Sequence, residues 1–287
     1  REAEDWLVKG GGRPMVVAPK PLGLKIDVLL SGGPGFANEI LMREFTRAGR
    51  DMGVALSKKF IPRASAVELK AGLEESAKGS SDGLIFQPIE HRLVRDAVME
   101  LAESGFPIVC ALTTLPGVET LGYSGLDNRA AGRAAGLLLG HLMGRRGKVA
   151  IFMSDALYRS HEERESGVRN ILRAEFPDIL TLESLTTMDD PEACYRAALQ
   201  LLEGHPDIAG ICNLGGGNRG IEKALIETGK AKDVVYIAFN LTPLTRKALL
   251  DGTIDAVIHQ DMGKIARTAI EAVCQHHNGS RKPIGHI

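Results

Sequence analysis

The 287-residue chain lacks most of the features that mark a specialised surface or a metal framework. It has no excess of either charge, with 35 Lys and Arg against 36 Asp and Glu and a net charge of −1. Nothing therefore draws the chain as a whole onto nucleic acid or an anionic membrane. Any contact with DNA has to come from a segment outside this sequence. No apolar run approaches the ~18 residues that a transmembrane helix needs, so no membrane association is expected.

Cysteine is scarce as well. Cys110, Cys194, Cys212 and Cys274 form no C-x-x-C pair and have no zinc-ligand spacing, so neither a metal site nor a cofactor is expected. Cys110 and Cys212 lie in apolar runs, where Cys behaves as a small hydrophobe. Free thiols suit a reducing compartment, which makes the cytoplasm the expected location.

Catalytic signatures are missing too. There is no G-x-S-x-G elbow, and His91, His141, His205 and His259 have no acid and nucleophile partners by spacing. The charged run His161-Glu-Glu-Arg-Glu reads as a solvated first helical turn. His259, just before Gln260, is the one histidine placed at a strand end. The chain is expected not to be an enzyme.

What is present is rhythm. From Lys25 onward, apolar runs of roughly five to seven residues alternate with amphipathic stretches of roughly ten to sixteen. Near-continuous apolar strands separated by helices predict parallel sheets covered on both faces. The strands Ile108–Leu112 and Leu121–Gly125 follow one another with no helix between, which predicts a crossing from one α/β lobe to a second. Residues 1–23 stand outside the pattern, with a short charged stretch and then breaks at Gly10-Gly-Gly-Arg-Pro14 and Pro19-Lys-Pro21.

Polar residues recur at the strand ends, among them Gln87, Thr113, Asn213, Asn240 and Gln260. Ligands of doubly wound sheets bind beyond those carboxyl ends. Ser, Thr, Asn and Asp there also cap following helices, but Gln87 and Gln260 are poorly explained as caps. Asp127-Asn128, between a strand and an Ala/Gly-rich helix, has both readings, cap and ligand contact. Gly215-Gly-Gly-Asn-Arg-Gly220 lacks the Gly-Lys-Ser/Thr ending of a phosphate loop and reads better as a helix-start turn. Arg164, in the first turn after the strand ending at Ser154, can reach over a crevice with its planar fork.

In order and spacing these residues resemble the type I periplasmic-binding-protein fold, shared by sugar-binding transport receptors and LacI/GalR-type regulators. Gly-Leu-Asp127-Asn128-Arg-Ala-Ala-Gly132 is similar to its D-N-x-x-A-G element, Arg164-Glu-Ser-Gly167 to its R-x-x-G, and Asp82-Gly-Leu-Ile-Phe-Gln87-Pro to its D-G-I-I-x-x-P strand. Pro34-Gly-Phe36 resembles the P-F that supplies an aromatic face, and Gln260-Asp261 the Q-D of an interlobe crossing. Two departures stand out. Ala-Phe-Asn240 replaces the usual strand-end Asp, and Leu214 follows Asn213 where an Asp is usual.

The resemblance implies two Rossmann-like lobes joined by a three-crossing hinge, residues 24–122 with 261–280 and residues 123–260. It implies a sugar or polyol held by Phe36, Gln87, Thr113, Asp127, Arg164, Asn213, Asn240 and Gln260. The stretch 1–23 is similar to the remnant of an upstream DNA-binding segment. The expectation is accordingly the effector domain of a LacI-type regulator, a homodimer reaching operator DNA through a helix-turn-helix absent from this chain. The alternative is a periplasmic sugar receptor of an ABC transporter.

Overall fold

The computed structural model describes residues 23–32, 36–144, 146–280 and 284, with Phe36 described by its backbone alone. The expected remnant at residues 1–22 lies outside these.

The first sheet contains β1 (Lys25–Ser31), β2 (Ala55–Ile61), β3 (Gly83–Phe86), β4 (Ile108–Ala111) and β5 (Gly122–Ser124), all parallel, in the order β2-β1-β3-β4-β5. Alternate residues of β1 face opposite ways, as a strand requires. Ile26, Val28 and Leu30 join the core under α1 (Phe36–Met52). Leu29 joins the opposite core under α2 (Ala66–Lys78) and α3 (Arg92–Glu103). Both faces are thus covered, which explains why these strands read as almost unbroken apolar runs.

The second sheet repeats the plan. Its strands are β6 (Gly147–Met153), β7 (Ile179–Thr181), β8 (Leu185–Thr186), β9 (Ile208–Asn213), β10 (Val235–Phe239) and β11 (Ala256–Ile258), in the order β11-β10-β9-β6-β7, with β8 also on β6. One core lies under α4 (Asn128–Met143) and α5 (Arg159–Glu175). The other lies under α6 (Pro191–Gly204), α7 (Asn218–Glu227) and α8 (Pro243–Asp251). The apolar stretch around Leu180–Leu185 forms two short strands, β7 and β8, and Arg169 Nη2 holds the break between them by donating to Leu182 O (2.8 Å) and Ser184 Oγ (3.0 Å).

In each sheet the first strand sits inside, between the second and the third or its equivalent. The switch points are β1/β3 and β6/β9, where an open α/β sheet leaves a crevice at its carboxyl end. Tyr123 and Ser124 still pair with Cys110 and Ala111, so the chain leaves the first sheet at 125–127, two residues beyond the expected limit. It returns at 259–261 into α9 (Met262–His277), whose Ile265, Ala269 and Val273 complete the first core. Ser124 Oγ donates to Ile265 O (2.9 Å), tying the two passages together. These two crossings are the ones found among the described residues.

Candidate functional site

The site is built outward from Arg164. The small residues of α4 let α5 come against it almost backbone to backbone. A methyl on Gly132 would fall on the Arg164 carbonyl oxygen, and one on Gly167 would sit 2.5 Å from Arg129 O. The Gly of each sequence element is therefore the packing partner of the other element. That contact sets Arg164 beside the start of α4, where Asn128 Oδ1 accepts from its Nε (2.8 Å). Leu214 O accepts from Nη1 (2.8 Å), and the guanidinium carbon lies 4.5 Å from the centre of the Phe239 ring. The side chain is buried, and burial lowers its pKa to about 10. It keeps its charge at neutral pH.

Contacts across the cleft hold the carboxyl ends of the two sheets together. Arg63 Nη1, after β2, lies 2.5 Å from Asp189 Oδ2, after β8. Tyr158, after β6, shares a hydrogen bond with Ser31 Oγ at the end of β1 (2.8 Å) and accepts from Ala64 N (3.2 Å). Glu90 N donates to Leu157 O (2.7 Å), and Ser160 N to Thr113 Oγ1 (3.0 Å). The Tyr158 ring is buried among first-sheet core residues such as Phe86 and Val94.

Between these contacts lies a cavity of about 360 Å³, at the small end of the range for small-molecule sites. Of the residues expected from sequence, Gln87, Arg164, Asn240 and Gln260 line it. Gln87 Oε1 accepts from Ser31 N (3.2 Å) and Asn38 Nδ2 (3.0 Å). Asn240, at a left-handed φ of 66°, accepts from Gln260 Nε2 (2.8 Å), while the buried Gln260 Oε1 has no partner among the described residues. An unpaired buried acceptor is costly unless something arrives to donate to it.

Three other expected residues are used differently. Asp127 is exposed and caps α4 by accepting from Ala130 N (2.9 Å), whereas its neighbour Asn128 serves the site by holding Arg164. Thr113 bonds across the lobes to Ser160 N. Asn213 fixes the glycine loop, donating to Gly216 O (2.6 Å) and Asn218 Oδ1 (2.8 Å). The Phe36 side chain lies outside the described residues.

Sequence reasoning missed Arg63, His161 and Asp189, all of which line the cavity. His161 is buried rather than in a solvated turn, and its Nδ1 accepts from Ser154 N (3.1 Å). Its proton therefore belongs on Nε2. Burial lowers its pKa to about 4, with Arg164 and Arg63 adding to the shift against the opposing pull of Asp189. His259, the histidine singled out from sequence, is exposed and accepts from Leu241 N. Asp189 has a left-handed φ of 57° and accepts from Gly216 N (2.7 Å), so the glycine loop lies along the cavity wall. Arg63 follows the end of β2, where the strand-end rule could have found it. No comparable sequence signal marks Asp189.

The fold and site can be set against known proteins. The family model described as "Periplasmic binding protein domain" matches residues 32–281. No curated protein matches the chain in sequence. Among solved structures, a glucose-galactose binding protein from Geobacillus stearothermophilus, GanP, is 21% identical with a TM-score of 0.83, covering 91% of this chain and 94% of that one. A periplasmic solute binding protein of an ABC transporter from Actinobacillus succinogenes 130z, with bound D-allose, is also 21% identical at 0.83, covering 92% and 94%. A solute binding protein from Burkholderia graminis C4D1M in complex with D-arabinose is 20% identical at 0.84, covering 92% of each. These neighbours establish the α/β type I periplasmic-binding-protein fold.

They also overturn the expected regulator, since the matched family and these neighbours are binding proteins of the periplasmic and transporter kind. The reading of operator DNA falls with it, the homodimer loses its basis, and the expected cytoplasmic location is overturned by the same family match. The cysteine argument for the cytoplasm fails on physical grounds as well, because Cys110, Cys194 and Cys212 are buried and a buried thiol does not require a reducing compartment. Matched over residues 32–281, the chain belongs to the periplasmic binding protein domain family.

Proposed function

We propose that this chain is the receptor of a sugar transporter, capturing a small sugar or polyol outside the cytoplasmic membrane and presenting it to the transporter's membrane components. The observation that carries this reading is the cavity at the facing switch points, lined by the amides Gln87, Asn240 and Gln260 and by Arg164. Amides and an arginine fork suit a ligand rich in hydroxyls, each of which both donates and accepts. Gln260 Oε1 awaits a donor. Arg164 has spent Nε and one Nη1 hydrogen on Asn128 and Leu214, leaving the rest of its fork for acceptors.

In this reading two lobes, one built on β1–β5 with α9 and the other on β6–β11, close over the ligand. Thr113 and Asn213 position the wall, Asp127 starts the second lobe, and Gln87, Arg164, Asn240 and Gln260 touch the ligand. Binding rather than turnover is supported by Asp189, the one carboxylate lining the cavity among the described residues. It is engaged by Arg63 and Gly216 N, which leaves no acid–base pair. The sugars bound by the solved neighbours, D-allose and D-arabinose, point the same way.

Isothermal calorimetry with pentoses, hexoses, polyols and their acidic derivatives tests the reading. A saturable binder with a 1:1 stoichiometry is expected, its affinity lowered by Arg164→Ala. Lack of any binder in the panel, or a binder indifferent to Arg164→Ala, would remove the proposal.

A further inference from the structure

We infer that the saccharide taken by this site carries a negative charge, as a sugar acid or a sugar phosphate does, rather than being neutral. The inference rests on the receptor reading above and concerns the charge of the cavity. Among the described residues its titratable lining consists of Arg63, Tyr158, His161, Arg164, Asp189 and Arg219. Three arginines thus face one aspartate. That aspartate is already committed, with Oδ2 on Arg63 and Oδ1 on Gly216 N. His161 accepts a backbone N–H through Nδ1 and, with its pKa near 4, is neutral at physiological pH.

Arg164 is the centre of the imbalance. It is 3% exposed, and both its hydrogen-bond partners, an amide oxygen and a backbone carbonyl, are neutral. A buried cation without an anionic partner is unfavourable, and proteins normally supply one. Here the side chain that meets the guanidinium is the amide of Asn128, where an Asp would have supplied the anion. Burial lowers the Arg164 pKa to about 10, and the opposing pull of Tyr123, Asp189 and Glu163 does not restore it.

Two further features have the same sign. Arg219 is exposed at the rim, and α7 starts at Gly217 with no side-chain cap, so the positive end of that helix faces the same wall. A neutral sugar would satisfy hydrogen bonds but leave the excess charge in place. A carboxylate or phosphate would supply the missing partner, and a guanidinium binds either through two parallel N–H bonds. The amides Gln87, Asn240 and Gln260 remain for the hydroxyls.

The experiment compares matched pairs by calorimetry on the full chain: D-galacturonate with D-galactose, D-gluconate with sorbitol, and D-glucose 6-phosphate with D-glucose. At least one charged member is expected to bind ten-fold or more tightly than its neutral partner, with an affinity that weakens as salt rises. Binding by the carboxylates alone or by the phosphate alone identifies which anion is used. Two variants sharpen the comparison. Asn128→Asp places a carboxylate beside Arg164 and should shrink the preference for the charged member. Arg219→Gln, on the exposed rim, should weaken the charged ligand several-fold more than its neutral partner. Neutral members binding as well as or better than charged ones would overturn this inference while leaving the receptor reading intact. Failure of every member to bind would overturn both.

Discussion

Arg63 and Asp189 are 126 positions apart in sequence, yet Arg63 Nη1 lies 2.5 Å from Asp189 Oδ2. Their side chains are 13% and 9% exposed, and one belongs to the first lobe and the other to the second. The pair exists only while the carboxyl ends of the two sheets face each other closely. It is therefore one of the interactions that distinguish a closed arrangement from an open one. A ligand held between the lobes draws part of its affinity from such contacts, because affinity reflects the difference between the two states.

Arg63→Met should consequently weaken ligand binding. Removing one member of a buried ion pair costs about 3–5 kcal/mol, and even half of that, spent on closure, amounts to about ten-fold or more in Kd. Small-angle scattering of the unliganded variant should show a larger radius of gyration than the wild type. An unchanged Kd together with an unchanged radius would show that the pair does not control closure.

The contact between α4 and α5 makes a prediction whose sign is informative. In an open helix interior, Gly→Ala stabilises by up to about 1 kcal/mol. At Gly167 the added methyl would lie 2.5 Å from Arg129 O. The expected effect of Gly167→Ala is therefore a loss of about 1–3 kcal/mol, read from urea midpoints. Because the same contact places Arg164, ligand affinity should fall with it. A stabilised variant would mean that the helices do not approach this closely.

How much of this could be read from the sequence depends on the type of information each residue carries. The strands and helices were legible because both faces of each sheet are covered. Ile26, Val28, Leu29 and Leu30 are all buried, and they show up as an apolar run. Strand ends were legible as positions, but not as directions. Gln87, Asn240 and Gln260 turn into the cavity, whereas Asn213 turns into its own glycine loop and Thr113 meets the opposite lobe. Left-handed backbone at Asn240, and at Leu112 beside Thr113, turns two of these strand ends, and nothing in the local residue types announces it. His161 was misread because its neighbours Glu162 and Glu163 are charged. The helix turns them one way and His161 and Arg164 the other, into burial.

Acid should destabilise the protein through His161. Its folded pKa of about 4 lies below the ordinary 6.5, so the folded state holds the neutral ring while the unfolded chain binds the proton. Above pH 6.5 neither state is protonated and His161 has no effect on the balance. As pH falls from 6.5 to 4 the unfolded state takes up the proton first and stability is lost, to a total of about 3 kcal/mol. Below pH 4 the folded state is protonated as well and this loss levels off. Denaturation curves at pH 7 and pH 4.5 should show a smaller difference for His161→Gln than for the wild type. Equal differences would place the acid sensitivity in other groups.

The cysteines permit a last test, on the inference that failed. Free thiols suggested a reducing compartment because an oxidising one pairs or modifies exposed cysteines. Burial removes that premise. Cys110 and Cys212 are enclosed in β4 and β9, where desolvation raises their pKa to about 12, and Cys194, beneath α6, rises to about 11. Since the thiolate is the reactive form, such groups are inert whatever the surrounding redox potential. Cys274 is half-buried near the end of α9, and its pKa is also raised by burial. With a thiol-specific chromogenic disulfide at pH 8, the native protein should release at most one slow equivalent, assignable to Cys274 by its loss in Cys274→Ser. All four should react in guanidinium. Rapid modification of Cys110 or Cys212 in the native state would show that these strands open on the time scale of the assay. The thiols would then need a reducing environment after all.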